Sequence, residues 1–280
     1  MARQNHRRLI TAAVFAVTTA ASLALAPAAG AQAADGGPVY RFGVVPQQSG
    51  SKLSRLWSPI LAYLEQRTGY RLQFATARNI PTFEKRLRND KYDFAYMNPY
   101  HYVTFHKESG YRAFATAKGK RLKGILVVRK DSPYQSLKDL DGKGVAVPAH
   151  AFAADLVMRA QFQNLGESVD IHDVASHDSS YRNVADGRYA AGGGVLRTFR
   201  ATAPSVRNEL RILWTSPGFT PHAFAASPSV PPEVVKRVQK AMLEMEDDPE
   251  GKALLKAIRL KGVIAARDSD WNDVRALNLQ

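Results

Sequence analysis

The apolar positions of the chain alternate between two spacings. Short apolar runs bounded by turn residues are typical of strands, and longer segments with apolar residues three and four apart are typical of helices. The predicted strands are residues 39–45, 70–75, 93–97, 125–129, 144–147, 169–174, a run into 192–194, 210–215 and 223–226. The predicted helices are residues 53–64, a segment from about 81, 151–165, a segment ending at 187, 231–246, 249–258 and a short one after 268. This alternation is typical of an α/β protein with largely parallel sheets.

The order of these elements predicts two lobes. Two α/β units are followed by an extended segment, so the chain is predicted to cross twice between the lobes. The first lobe comprises residues 38–130 and 224–280, with the C-terminal helices packed on it, and the second comprises 131–223. Pro59 interrupts the first helical pattern, so that helix is predicted to begin at Ser58 or to kink at the proline.

Residues 1–33 have the pattern of a secretory signal peptide. Three arginines precede an uncharged run at 9–29, and small residues follow it. Cleavage is predicted after Ala31 or Ala33, and the pair Arg7-Arg8 leaves a twin-arginine export route open beside the general one. No second apolar run has the ~18 to 20 residues that span a bilayer, and the chain has no cysteine for a disulfide or a lipid anchor. We therefore predict an exported protein, periplasmic or secreted.

The chain is strongly basic, with 39 Lys and Arg against 25 Asp and Glu and a formal net charge of +14. Residues 1–33 hold three arginines and no acidic residue, so 36 basic and 25 acidic residues follow them, a net charge of +11. Such a balance favours a nucleic acid, a membrane surface or a small acidic ligand as partner. Export and the scattered basic residues argue against nucleic acid, and a protein that adheres to a membrane surface is one alternative.

Common enzyme signatures are absent from the sequence. It has no G-x-S-x-G elbow, H-E-x-x-H pair, Walker loop or cysteine nucleophile. Its histidines have no spacing typical of a metal site, so we predict no catalytic residue, metal or cofactor. The run His177-Asp178-Ser179-Ser180 permits a hydrolase hypothesis, but neighbours at a helix start do not generally point at one another.

Three loops connect a predicted strand to a predicted helix, the position at which α/β sheets bind ligands. Asn98 and the aromatic residues around it form the first loop, His150 lies in the second, and the third comprises residues 176–183 with His177. The second loop offers backbone N–H groups at a helix N-terminus. The third offers hydroxyl donors and Arg182 for an oxyanion. For each loop, a capped helix start with packed or solvated side chains is the alternative.

Six segments, in this order, resemble the phosphate, phosphite and phosphonate type of periplasmic binding protein that feeds ABC importers. They are FGVVP at 42–46, WSPILAYL at 57–64, DFAYMNPYHY at 93–102, VVRKDSPYQSLKDLDGKGVAVP at 127–148, SHDSSYRNVADGRYAAGGGV at 176–195 and ILWTSPGFTPHAF at 212–224. The resemblance implies a two-lobed, type II periplasmic binding protein fold, in which each lobe is a mostly parallel sheet flanked by helices. It implies a small anion enclosed between the lobes, delivery to an ABC permease and no catalysis. A membrane sensor kinase is the alternative partner, and an enzyme acting on a small anion is the alternative class.

The predicted ligand site combines the three loops. Its residues are Gln47, Tyr96, Asn98 and Tyr100 in the first lobe and His150, Phe152, His177, Ser179, Ser180, Tyr181 and Arg182 in the second. His177 matches the family's histidine in its S-H-D segment. The sequence AHAFAA at 149–154 replaces the family's Ser/Thr-rich anion loop, and no carboxylate near Arg197 or His222 matches those that hold a ligand's ammonium group. The resemblance thus implies a simple oxyanion or another small acidic molecule rather than an aminoalkylphosphonate. We predict that the protein is a monomer.

Overall fold

The structure, a computed structural model, describes residues 37–119 and 121–278, and the signal peptide predicted at 1–33 lies outside these residues. The strands in the described part are β1 (Val39–Val44), β2 (Arg71–Ala75), β3 (Phe94–Met97), β4 (Arg112–Ala117), β5 (Gly124–Arg129), β6 (Gly144–Pro148), β7 (Asp170–Val174), β8 (Ala191–Val195), β9 (Leu210–Thr215), β10 (Ala223–Ala226) and β11 (Val263–Ala265). The helices there are α1 (Gly50–Thr68), α2 (Ile80–Arg88), α3 (Pro99–Ser109), α4 (Val157–Leu165), α5 (His177–Ala185), α6 (Leu196–Arg200), α7 (Pro204–Arg207), α8 (Pro232–Leu243), α9 (Pro249–Ala257) and α10 (Asn272–Arg275). Shorter 3₁₀ turns lie at Leu137–Leu140, Glu244–Glu246 and Asp268–Trp271.

The described strands form two sheets, one in each lobe. The first sheet has the order β11-β4-β10-β3-β1-β2, and the second has the order β7-β6-β8-β5-β9. Strand β1 is parallel to β2 and β3, and β6 is parallel to β7 and β8. Strands β10 and β5 run antiparallel to both of their neighbours, as β11 does to β4. The two-lobed α/β fold is confirmed, with mixed sheets.

The chain passes between the sheets at 118–123 and again at 216–222, and these are the two crossing segments. The predicted division at 130 assigned β5 to the first lobe, but β5 is paired with β8 and β9 in the second sheet. Because paired strands share their backbone hydrogen bonds, β5 belongs to the second lobe. The sequence pattern also missed β4 and β11. Helices α8 and α9 pack on α1 of the first lobe.

Helix α1 runs from Gly50 to Thr68 through Pro59, so the predicted start at Ser58 is wrong. The proline removes one backbone hydrogen bond from the helix. The same helix buries Trp57 and Ile60 against the first sheet. Tertiary packing of an apolar face contributes more to helix stability than intrinsic propensity does, and this packing keeps the proline inside the helix.

A π-helical turn at Phe152–Leu156 precedes α4 and packs across the glycines of β8. A Cβ atom on Gly193 would overlap the carbonyl oxygen of Ala154, and one on Gly194 would overlap the hydroxyl of Tyr181. Only glycine allows the turn and α5 to approach β8 this closely on its two faces. Gly192, Gly193 and Gly194 therefore belong to a strand that is packed closely on both faces.

The two lobes share one apolar core through this turn. Ala151 and Phe152 are buried in the same cluster as Trp57 and Phe224 of the first lobe. Phe152 also packs edge to face on Phe219 of the second crossing segment, with ring centroids 5.2 Å apart. Two further apolar clusters pack on the second sheet. The lobes of this structure therefore contact each other through buried apolar side chains.

Because the turn approaches β8 so closely, we predict that one methyl group added at a glycine of this strand lowers the stability of the protein. We expect Gly193→Ala to lower the free energy of unfolding by roughly 1–3 kcal/mol, the usual cost of overpacking, measured by urea denaturation. Gly50→Ala is the matched control, because its Cβ would meet only Thr76 at an ordinary 3.8 Å. The control should change stability by no more than about 0.5 kcal/mol. Equal stability of both variants would contradict the close packing.

Candidate ligand site between the lobes

A cavity of about 400 Å³ lies between the lobes, beside the crossing segments. Its inner end is formed by Tyr96, Arg197 and His222, and its rim carries the exposed residues Arg121, Lys123, Arg200 and Arg259. Two larger grooves, of about 590 and 580 Å³, are lined by the first lobe alone, along its outer strands. Of these three spaces, only the interlobe cavity is lined by both lobes and both crossing segments, so we take it as the candidate site.

Tyr96 organises the inner end of this cavity from its position in β3. Its ring stacks on the imidazole of His222, with centroids 4.9 Å apart, and packs on Trp57 at 4.8 Å. The guanidinium of Arg197 lies 5.9 Å from the centre of the same ring, within cation–π range. Burial raises the pKa of the Tyr96 hydroxyl. The uncharged ring thus holds a histidine and an arginine beside each other.

His222 lines this cavity and has a buried polar atom without a partner among the described residues. Only 2% of the residue is exposed, and its Nε2 has no hydrogen-bond partner among the described residues. Burial, and then the nearby Arg197, His101 and His177, hold the pKa of His222 well below its usual value. Leaving a buried polar group unpaired costs roughly 1–3 kcal/mol, a cost that a ligand oxygen at Nε2 would remove.

Arg197 connects the cavity to the first lobe. It lies in the first turn of α6, directly after β8, and its Nη2 donates to Oε1 of Gln47 at 2.6 Å. The backbone oxygen of Gln47 accepts from the N–H of His177 at 3.0 Å. No carboxylate among the described residues forms an ion pair with Arg197. Its positive charge at the inner end of the cavity is therefore not neutralised by the described part of the chain.

His177 lies close to Arg197 and is completely buried. Its Nδ1 is 3.0 Å from the hydroxyl of Thr198, and its Nε2 has no partner among residues 37–119 and 121–278. Burial, and secondarily the charge of Arg197, lower the pKa of His177 to about 3. Tyr181 supports this arrangement, because its hydroxyl lies 2.9 Å from that of Thr198 and accepts from the N–H of Val195.

The remaining predicted residues of the third loop are engaged away from the cavity. The N–H of Ser176 donates to the hydroxyl of Ser179 at 2.9 Å in a reciprocal cap of α5. The hydroxyl of Ser180 donates to the backbone oxygen of Ala146 at 2.8 Å. Arg182 is exposed and lines a separate groove of about 350 Å³. The structure therefore brings Gln47, Tyr96 and His177 together around Arg197. The other three predicted residues, Ser179, Ser180 and Arg182, do not line the cavity.

Asn98 and Tyr100 belong to the start of α3. Oδ1 of Asn98 accepts from the N–H of His101 at 2.7 Å, and its Nδ2 lies 3.1 Å from Nε2 of the same histidine. Asn98 thus caps α3, the alternative interpretation of this loop. Tyr100 packs against the core of the first lobe. Neither residue is among those that line the interlobe cavity.

His150 and Phe152 form contacts between the lobes. Nδ1 of His150 lies 2.8 Å from Oε2 of Glu84 in the first lobe, and Nε2 of His101 lies 3.1 Å from the other carboxylate oxygen. Burial acts to raise the pKa of Glu84, but the two histidines outweigh it and hold that pKa below its usual value. His150 has a φ of 60°, a conformation that is uncommon for a residue other than glycine. With Phe152 packed on Phe219, this loop joins the lobes and does not line the cavity.

A protein-family model described as "ABC transporter, phosphonate, periplasmic substrate-binding protein" matches residues 42–271. The matched range includes both sheets and every residue at the inner end and rim of the cavity. The chain belongs to this family. It is therefore a periplasmic substrate-binding component of ABC transport. Among the residues that the structure describes, none of the helices is long and apolar enough to cross a membrane, and the signal peptide stays a prediction.

Curated relatives align along nearly the whole chain. It is 23% identical to the phosphate-import protein PhnD of Mycolicibacterium smegmatis, over 96% of this chain and 94% of that protein. It is 22% identical to the phosphonates-binding periplasmic protein of Escherichia coli, over 97% of this chain and 84% of that protein. The similarity thus extends through both lobes.

Solved structures share the fold. A binding-protein component of an ABC phosphonate transporter from Pseudomonas aeruginosa superposes with a TM-score of 0.81 at 19% identity, over 86% of this chain and 85% of that one. PhnD1 from Prochlorococcus marinus in complex with methylphosphonate superposes with a TM-score of 0.78 at 16% identity, over 86% and 98%. At these identities the likeness establishes the fold of this family member.

The sequence interpretation missed the basic residues around the cavity, although two signals pointed to them. Arg197 follows a strand at the start of a helix, the same position that marked the three predicted loops. The rim residues Arg121 and Lys123 belong to a basic run, KGKRLK at 118–123, which is the first crossing segment. Because a crossing segment connects the two lobes, the topology alone places its basic residues beside the space between them.

The buried histidines predict a pH-dependent stability. The pKa of His177 is about 3 in the folded protein and about 6.5 in the unfolded chain. The contribution of His177 to stability is therefore fully present above about pH 6.5 and falls as the pH is lowered toward 3. The slope is up to about 1.4 kcal/mol per pH unit for each proton. We expect His177→Asn to reduce the slope between pH 6.5 and 5 by up to that amount, measured by urea denaturation at several pH values.

The difference between parent and variant at pH 8 serves as the reference, because His177 is neutral there in both folded and unfolded chains. That difference contains only lost packing and hydrogen bonding. Parallel stability curves from pH 8 to pH 5 would show that His177 is not held neutral by the folded structure.

Proposed function

We propose that this protein captures a phosphate-, phosphite- or phosphonate-like anion in the interlobe cavity and delivers it to an ABC permease. The observation that carries this proposal is the inner end of the cavity. There, Arg197 has no carboxylate partner among the described residues and lies close to a buried histidine, His222, whose Nε2 is unpaired. Together they present a charge and a hydrogen-bond donor to the same small space.

An oxyanion at this position would satisfy both groups. The neutral imidazole of His222 donates from Nε2 when its proton is there, and the guanidinium of Arg197 supplies charge-assisted hydrogen bonds. Hydrogen bonds to charged groups contribute roughly 1.5–3 kcal/mol each. Gln47 and Tyr96 hold the guanidinium in place from the first lobe. The ligand would therefore bind Arg197 of the second lobe and His222 of the second crossing segment, beside Tyr96 of the first lobe, and would favour the closed arrangement of the lobes.

The names of the relatives support an anion of this kind. The relative from Mycolicibacterium smegmatis is named a phosphate-import protein, and the structure from Prochlorococcus marinus contains methylphosphonate. The replacement of the family's Ser/Thr-rich loop by AHAFAA at 149–154 is compatible with anion binding. In this chain Arg197 and His222, at the inner end of the cavity, would supply the hydrogen-bond donors in place of hydroxyl groups. His177 lies close to Arg197 and is not among the residues that line the cavity.

The proposal extends to the mode of action. The protein acts as a monomer, and it binds its ligand without transforming it. The hydroxyls and acid that suggested a hydrolase are bonded elsewhere: Ser180 donates to Ala146, Ser179 caps α5, and Asp178 pairs with Lys52 at 3.6 Å. A membrane sensor kinase, the alternative partner, would recognise the same closed form.

Arginine substitution separates the interlobe cavity from the third loop. We expect phosphate or methylphosphonate to bind the parent protein in isothermal titration calorimetry, and Arg197→Gln to raise the Kd more than tenfold, because the charge at the inner end is lost. Arg182→Gln is the matched variant, since Arg182 is exposed in the separate groove, and it should leave the Kd unchanged. The reverse ranking would place the site at the third loop. Absence of heat with phosphate, phosphite and methylphosphonate alike would refute the anion assignment.

A further inference from the structure

The rim of the interlobe cavity carries a second group of positive charges. Lys123 belongs to the first crossing segment and Arg200 to α6, and both are exposed and line the cavity. Neither side chain forms an ion pair with a carboxylate of the described residues. Arg121, beside them, is paired with Asp273 at 2.7 Å. At least two rim cations are therefore uncompensated by the described chain, in addition to Arg197 at the inner end.

Burial distinguishes the two ends of the cavity. Tyr96 and His222 at the inner end are 3% and 2% exposed, whereas Lys123 and Arg200 are exposed. A ligand that enters from the rim would therefore bring one end to a dry, partly desolvated site and leave the other near solvent. Charges interact more strongly at the dry end, which suits the group with the higher charge.

The cavity has more space than one oxyanion fills. Its volume of about 400 Å³ is many times the ~30 Å³ that one water molecule occupies in the liquid. It lies in the range of roughly 300–1,000 Å³ typical of sites for small organic ligands. A phosphate at the inner end would leave space between itself and the rim.

The charge of the residues that line the cavity determines which kind of ligand group is favoured in this remaining space. None of the described residues that line the cavity is acidic. An ammonium group would face Lys123 and Arg200 without a carboxylate to pair with it, and an alkyl group would leave both cations uncompensated. A second anionic group would pair with them, because opposite charges brought together at a partly enclosed site attract.

We propose that the ligand carries two anionic groups, a phosphonate or phosphate bound at Arg197 and His222, and a second anionic group bound at the rim by Lys123 and Arg200. This inference rests on the proposed function, because it assigns the remainder of the same ligand. Phosphonocarboxylates are the simplest members of the class.

Three phosphonates of similar length test this assignment by calorimetry at one pH and salt concentration. They are 3-phosphonopropionate, 3-methylbutylphosphonate, in which methyl groups replace the carboxylate oxygens, and 3-aminopropylphosphonate. We expect 3-phosphonopropionate to bind at least tenfold more tightly than the alkyl compound, and the amino compound to bind most weakly. A smaller ratio, or tighter binding of the amino compound, would overturn the proposal.

A rim variant shows whether the second group binds where we place it. Arg200→Gln removes only the guanidinium, because the hydrogen bonds from Arg207 and Arg259 use the Arg200 backbone oxygen. It should raise the Kd of 3-phosphonopropionate at least fivefold and leave that of methylphosphonate within twofold. Arg188→Gln, an equal charge change in the separate groove, should alter neither. Equal losses for both ligands in Arg200→Gln would overturn the rim assignment.

Methylphosphonate and phosphate distinguish the failure of this inference from the failure of the proposed function. If either one binds and the carboxylate adds no affinity, the anion-binding function stands and the second anionic group is wrong. If neither these two ions nor any of the three longer phosphonates binds the parent protein, both proposals are wrong.

Discussion

The packing of the Phe152–Leu156 turn between the two sheets is the constraint on which the rest of the structure depends. The turn lies against the glycines of β8 on one side and contributes Phe152 to the core of the first lobe on the other. Because the backbone of the turn approaches β8 directly, that strand has no side chain at Gly193, and Tyr181 of α5 leaves no space for one at Gly194. The strand then leads without a loop into α6. The position of Arg197 at the inner end of the cavity is thus a consequence of how closely the second lobe is packed.

The electrostatics of the interlobe region follow from the same packing. His177 and His222 are buried close to Arg197, so desolvation and the neighbouring charge keep both neutral. Glu84, a partly buried acid at the lobe interface, faces His101 and His150 rather than the cavity. The carboxylate therefore joins the lobes, whereas the cavity keeps a positive charge for a ligand. Under the proposed function, anion binding and lobe closure would act on the same groups.

The sequence predicted most of the helices and strands, but it did not predict which distant segments pack against them. The sequence predicts the strands at 210–215 and 223–226 with their observed bounds, but it does not predict the close packing on both faces of β8. The sequence predicts a helix start or kink at Pro59, because the burial that stabilises α1 around this proline is a tertiary effect. The serines of the third loop had the composition of an oxyanion site, yet their hydroxyls bond to backbone and cap groups, a local competition that spacing cannot resolve.

The sequence by itself determined the α/β alternation, the two lobes, the positive charge and the family resemblance, because these depend on local periodicity, composition and ordered motifs. Only the tertiary structure decided which cations surround the interlobe cavity. Gln47, Arg197 and His222 are far apart in the chain and meet through side-chain packing across two lobes. Their burial and their lack of carboxylate partners in the described chain are properties of that arrangement. No local pattern encodes these properties, because each depends on what distant segments bring to the same space.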